Sequence, residues 1–144
     1  MNAQQMWEQF SQKENIEADY EAWAFGDDAD TLAELVAAGI KTATASAFVF
    51  YELEGEPLPE AGQYSVILNS RGEAVCIIKS TRVFVIPYCN VDERQAWKEG
   101  EGDRSLSYWR IVHERFFRDE LAQLGLPFDE KMKVVCEEFE KVYP

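Results

Sequence analysis

Apolar positions recur along this chain at helical spacing in some stretches and as dense β-branched and aromatic runs in others, and together they predict most of its elements. Met6, Trp7 and Phe10 fall at helical spacing within Asn2 to Gln12, which predicts an N-terminal helix. Tyr20, Trp23 and Phe25 follow as an aromatic segment that ends at the acidic turn Gly26-Asp27-Asp28. Leu32, Leu35 and Val36 then line one face of a helix, with Thr31 and Glu34 spaced as a capping box and Gly39 placed to end it in the left-handed conformation. Ala45 to Leu53 is apolar enough for a short helix, and Gly55 to Gly62, with Pro57 and Pro59, is a loop. Tyr64 to Leu68, Ala74 to Ile78 and Thr81 to Ile86 are rich in Val, Ile, Tyr and Phe, with the turn Asn69-Ser70-Arg71-Gly72 between the first two, and predict an antiparallel meander. A short helix from Val91 to Lys98, a polar run, a long helix from Ser105 to about Leu124 ended by Gly125, and a last strand from Met132 to Val142 complete the chain. Helices around a mainly antiparallel sheet of about five or six strands make an α+β fold, for which a small, partly closed β-barrel is one way to bury both the strands and their edges.

Composition narrows what such a fold can do. With 144 residues, 47% hydrophobic and 13% aromatic, the chain can bury one substantial core and has the length of a single domain, in which residues 1–19 form a helical extension. No stretch approaches the roughly 20 apolar residues of a membrane span, and Met1 to Phe10 lacks the pattern of a secretory signal. A cytoplasmic location and no membrane partner are expected, with the oligomeric state left open. The formal net charge of −13 opposes association with long polyanions, which leaves a small nucleoside or nucleotide, or an RNA end held in a local basic pocket, as the partners to consider. Cys76, Cys89 and Cys136 are odd in number and widely spaced, and His113 is the sole histidine, so the sequence supports neither a disulfide framework nor a structural zinc site. No metal and no cofactor are expected.

Two polar runs carry candidate chemistry. In Gly39-Ile40-Lys41-Thr42-Ala43-Thr44 a lysine and two hydroxyls sit just beyond a helix stop. If Thr42 to Thr44 open a strand, Lys41 and Ala43 face one way and Thr42 and Thr44 the other; if the stretch is a turn or helical start, Lys41 and Thr44 share a side. In Glu99-Gly100-Glu101-Gly102-Asp103-Arg104-Ser105, three carboxylates and two glycines precede the long helix. Asp103 or Ser105 can serve as its N-cap, whereas Glu101, between two glycines, gains little from the helix dipole and is the preferred functional carboxylate, with Glu99 its rival. Leu106, Trp109, Phe116 and Phe117 place His113 next to an apolar stripe, either as a structural residue or in contact with a ligand. Trp109, Trp23, Phe25 and Tyr20 belong to a core by default, and one or two could stack on a planar ligand.

Taken together, Ala38-Gly39-Ile40-Lys41-Thr42-Ala43-Thr44-Ala45-Ser46 and Glu99-Gly100-Glu101-Gly102-Asp103-Arg104-Ser105-Leu106, followed by Trp109, His113 and Phe116-Phe117, resemble the ASCH domain family over about Tyr20 to Val142. That resemblance implies a PUA-like β-barrel with helices packed around it and a cleft where the G-x-K motif meets the acidic loop. Members of the wider family are regarded as RNA-associated, some resemble ribonucleases, and a small bacterial branch hydrolyses N(4)-acetylcytidine using lysine, threonine and glutamate. On the motif match those roles fall to Lys41, Thr44 and Glu101, with Thr42, Ser46, Trp23, Phe25, Asp103, Arg104, Ser105 and His113 around the substrate. The acidic loop is longer and richer in glycine and aspartate than in the short amidohydrolases. In such a hydrolase Lys41 takes the proton of Thr44, Thr44 attacks the acyl carbon, and Glu101 handles the departing amine without a metal; a charged Lys41 would instead stabilise an oxyanion. The alternative is a non-catalytic RNA-binding module or a ribonuclease, with Lys41 and Arg104 on phosphate and an aromatic ring on the base.

Overall fold

The computed structural model describes all 144 residues, Met1–Pro144. The chain runs α1 (Ala3–Glu14), β1 (Tyr20–Ala24), α2 (Ala29–Ala37), β2 (Ala43–Ala47), α3 (Phe48–Glu54), β3 (Tyr64–Leu68), β4 (Ala74–Pro87), α4 (Glu93–Glu99), α5 (Leu106–Ala122) and β5 (Lys133–Tyr143). The strands form one sheet in the order β1-β3-β4-β5-β2 that curls into a half-barrel, giving the expected α+β, partly closed barrel. Three of the four pairings are antiparallel, and β1 runs parallel to β3.

Three local expectations are corrected. Ala74 to Ile78 and Thr81 to Ile86 are one strand of 14 residues, β4, because Lys79 and Ser80 hold no turn signal; register shifts at Ile77/Ile78 and Ser80/Arg82 accommodate its bends instead. The capping box of Thr31 and Glu34 is not made: α2 starts three residues earlier than that box would place it, and its N-cap Asp28 has φ 45° and caps nothing with its side chain. Asp30 there accepts hydrogen bonds from the Ser70 backbone N–H at 2.8 Å and hydroxyl at 2.9 Å, tying α2 to the turn between β3 and β4. Ala45 to Ala47 join β2 and the short helix begins only at Phe48, since antiparallel pairing with β5 satisfies the backbone and overrides the helical preference of alanine.

The end of α2 follows the sequence. Gly39 adopts φ 77°, its N–H bonds to Val36 O at 3.0 Å, and the Ile40 N–H bonds to Leu35 O at 2.9 Å, a Schellman closure that only a residue without Cβ makes without strain. Successive residues of a strand point to opposite faces, and the core divides accordingly. Met6, Trp7 and Phe10 of α1 pack on Val66 and Ile77, whereas Ala33 and Val36 of α2 pack with Ile67, Ile78 and Phe139 on the other face. A third group joins Ala96 of α4 and Trp109 and Phe117 of α5 to Ala47, Val134 and Cys136. No helix is long and apolar enough to cross a membrane.

Candidate functional site

Between α2, α3, α5 and the β1 and β2 sides of the sheet lies a cleft of about 600 Å³, a volume typical of small-molecule sites. Its most buried polar groups are Lys41 and Glu99, each only 1% exposed. The turn at Gly39 points Lys41 inward, and the Thr42 N–H bonds to the Lys98 carbonyl at 2.6 Å, joining the start of β2 to the end of α4. There Gly100, at φ 73°, lies so close to Ile40 that a Cβ on it would meet the Ile40 carbonyl oxygen at 2.6 Å. This approach brings Glu99 and Glu101 to the lysine. Gly100→Ala is therefore expected to cost about 2 kcal/mol or more, from the left-handed φ and the backbone clash together. Urea denaturation measures that loss, and a variant as stable as the parent would mean that the two loops do not need their close packing.

The Lys41 Nζ donates to Glu101 Oε2 at 2.9 Å, Glu99 Oε1 at 3.3 Å and the Glu99 carbonyl at 3.5 Å, and stands 5.3 Å from the centre of the Phe25 ring. Glu99, also 1% exposed, further accepts from Gln95 Nε2 at 3.0 Å and Trp109 Nε1 at 2.5 Å. His113 stacks on the Trp109 indole at 4.1 Å, with Nδ1 2.9 Å from the Trp109 carbonyl and Nε2 3.3 Å from Glu99 Oε1. Both ring neighbours are acceptors, so both nitrogens are best satisfied as donors and the ring is best satisfied as an imidazolium. Lys41 and His113 then balance Glu99 and Glu101.

Titration follows this arrangement. Burial alone would raise the Glu99 carboxyl; the Lys41 charge, His113 and the Trp109 N–H outweigh it and hold it at about 2, against an ordinary 4.5. Burial would lower His113, but the Glu99 carboxylate, through charge and hydrogen bond, raises it above its ordinary 6.5. The signs are opposite: Glu99 contributes stability present above pH 4.5 and lost as pH falls toward 2, while His113 contributes stability present below pH 6.5 and lost as pH rises through its raised value. His113→Gln should thus flatten the alkaline decline of unfolding free energy, measured by urea titration between about pH 6 and 9. A decline of unchanged slope in the variant would assign it to another group. Glu99, Glu101 and His113 each bring a ligating atom within 4.8 Å of the others, a spacing that suits a cation, but the Lys41 ammonium already stands against both carboxylates.

Trp23, Phe25, Lys41, Thr44, Ser46, Glu101 and His113 line the cleft together, as does Glu99. Thr44 is half-buried in β2; Gln95 Nε2 holds its carbonyl at 3.3 Å, and its hydroxyl makes no hydrogen bond within the protein, to Lys41 or any other group. The Ser46 hydroxyl pairs with Tyr51 at 2.9 Å. Thr42, Asp103, Arg104 and Ser105 lie outside the lining and secure its frame. Thr42 Oγ1 donates to the Lys98 carbonyl at 3.3 Å, Asp103 accepts from the Ser105 N–H at 2.9 Å, and Ser105 caps α5 by accepting from the Tyr108 N–H at 3.1 Å. Arg104 lies 3.7 Å over Trp97 and donates to the Trp97 and Ile40 carbonyls, so its guanidinium braces the loop. Gln95, Tyr51 and Glu137 are polar contributors that local pattern did not single out, and Trp109, expected as a core or stacking residue, also contributes its N–H to Glu99. Of these, Glu137 left a signal: a carboxylate directly after the apolar run Val134-Val135-Cys136.

The ASCH domain family model matches residues 21–143. An ASCH domain from Lactobacillus crispatus JV V101 is 34% identical, with a TM-score of 0.90 over 98% of this chain and 94% of its own. Protein EF3133 from Enterococcus faecalis V583 is 38% identical, with a TM-score of 0.91 over 99% of this chain and 88% of its own. The hypothetical protein PH0355, at 18% identity and a TM-score of 0.57, shares the fold. A comparison with curated proteins found no match.

Proposed function

The chain belongs to the ASCH domain family, and from that premise we propose that it is an amidohydrolase acting on a small acylated nucleoside such as N(4)-acetylcytidine. The observation that carries this reading is the charge of the cleft. Eight acidic side chains line it against Lys41 and His113, so the field repels phosphate and favours an uncharged ligand rich in hydrogen-bond donors. RNA binding would need Lys and Arg to face the cleft, whereas Arg104 lies outside its lining and spends its Nε and Nη2 donors on backbone carbonyls. A buried ion pair contributes little net stability relative to apolar side chains of the same volume, so stability alone does not account for Lys41, Glu99, Glu101 and His113 in one place.

In this mechanism the Thr44 hydroxyl is the nucleophile and the Trp23 and Phe25 rings form the apolar wall against which a planar base lies. With its donors committed to Glu99 and Glu101, Lys41 is the counter-charge for the oxyanion that develops on the acyl oxygen and not the base of Thr44. Glu101, the more exposed of its two partners, orients Lys41 and accepts from the amide N–H of the substrate. Purified protein without added metal should convert N(4)-acetylcytidine and water to cytidine and acetate, at a rate nearly constant between about 50 and 500 mM salt. RNA cleavage without acetate release, or ligand affinity that falls steeply with salt, would replace this function with an RNA-directed one.

A further inference from the structure

The cleft face of the sheet carries more polar groups than the fold requires. Register sets Glu21 of β1 beside Ser65 of β3 and Glu137 of β5 opposite Thr44 of β2, and Ser80 of β4 donates its hydroxyl to Glu137 Oε2. Every strand thus places a polar side chain on the face that elsewhere presents Ile67, Ile78 and Phe139 to α2. Ser65, Ser80 and Glu137 are 5%, 2% and 8% exposed, and burial of such groups is unfavourable unless their hydrogen bonds are used.

Residues directly opposite in an antiparallel pair project from the same face, with Cβ atoms about 4.5–5.5 Å apart. Thr44 and Glu137 are such a pair, and both line the cleft. Ser80 holds one carboxylate oxygen of Glu137, and the other makes no hydrogen bond within the protein. The Thr44 hydroxyl makes no hydrogen bond to Lys41 or to Glu137 in the resting protein, but the Lys41 donors are taken by Glu99 and Glu101 whereas one Glu137 oxygen is unused. Resting on the amidohydrolase reading, we propose that Glu137 is the general base of Thr44 and the acid that protonates the leaving nitrogen.

The steps balance. The Glu137 carboxylate takes the Thr44 proton as Thr44 Oγ bonds to the acyl carbon and the carbonyl π pair moves onto oxygen. When that pair returns, the C–N bond breaks, and protonated Glu137 delivers its proton to the departing nitrogen. A water then gives a proton to Glu137 and adds to the acyl carbon; the ester C–O bond breaks, Thr44 regains its proton from Glu137, and the carboxylic acid leaves. Burial, then the negative charge of Glu21, raises the Glu137 carboxyl while the Ser80 hydrogen bond opposes the rise, which brings the base closer to neutral pH. The titratable groups that face it are Glu21 from β1 and Tyr51 from α3. β4 offers it the uncharged Ser80, whereas Arg82 of β4 pairs with Glu138.

The test is the pH profile of N(4)-acetylcytidine hydrolysis by the full chain and its Glu137→Gln, Glu137→Asp and Ser80→Ala variants, with folding checked by circular dichroism. Glu137→Gln should lower kcat at least about 100-fold with KM changed less than about threefold, and should remove the acidic limb of kcat/KM. Glu137→Asp should recover part of kcat, and Ser80→Ala should move the acidic limb to higher pH, because it removes the hydrogen bond that holds Glu137 down. A folded Glu137→Gln variant with unchanged kcat, or with a raised KM alone, overturns the role of Glu137 and leaves the amidohydrolase reading intact. No turnover by the parent protein overturns both.

Discussion

Replacing Lys41 by methionine is expected to abolish turnover and to lower the unfolding free energy by about 3–5 kcal/mol near neutral pH. Methionine fills most of the volume of the lysine stem, so the loss is that of the ammonium, which leaves Glu99 with His113 as its one cationic partner beside the neutral donors of Gln95 and Trp109, and Glu101 without its partner at 2.9 Å. The pH dependence identifies the cause. Without Lys41 the folded-state carboxyl of Glu99 rises from about 2, so the folded variant binds protons more readily and its deficit shrinks as pH falls through the carboxylate range. The double variant Lys41→Met, Glu99→Gln should recover part of the loss at neutral pH. A deficit below about 1 kcal/mol that does not vary with pH would mean that the two carboxylates turn to water when the lysine is gone.

Thr44→Val should separate chemistry from folding. Valine suits a strand and keeps the shape of threonine, and both the β5 pairing and the Gln95 hydrogen bond use only the Thr44 backbone. Stability should change by less than about 0.5 kcal/mol. Hydrolysis should fall by at least about 10³-fold, while cytidine affinity, measured by calorimetry, stays within a few-fold. Retention of a tenth of the activity would exclude Thr44 as nucleophile and favour direct attack by water.

Local physics made much of this molecule legible beforehand. The stop at Gly39, the placement of Lys41 just past it, and the capping role of Ser105 each depend on a few neighbouring residues, and each is present. The start of α2 was not legible, because Asp30 spends its carboxylate on Ser70 in a distant turn, a partner that no local spacing announces. Strand and turn were equally open for Thr42 to Thr44 until β5 supplied the partner backbone. Glu99, which closes a helix and so has a local explanation, is as buried as Lys41 and holds His113, Trp109 and Gln95 together.

The sequence by itself determined the period of most elements, the glycine that ends the helix before Lys41, an acidic surface hostile to long polyanions, and the lysine, threonine and glutamate that suggested amide hydrolysis. The first three rest on short-range sterics, capping and summed charge, which act before any long-range contact forms, and the last rests on the likeness of the two motifs to the ASCH family. Only the tertiary structure decided that Lys41 meets two carboxylates 58 and 60 residues away, and that Thr44 lies opposite Glu137. Those meetings depend on strand order, on register, and on the packing of Gly100 against the Ile40 carbonyl, none of which a run of neighbouring residues can encode.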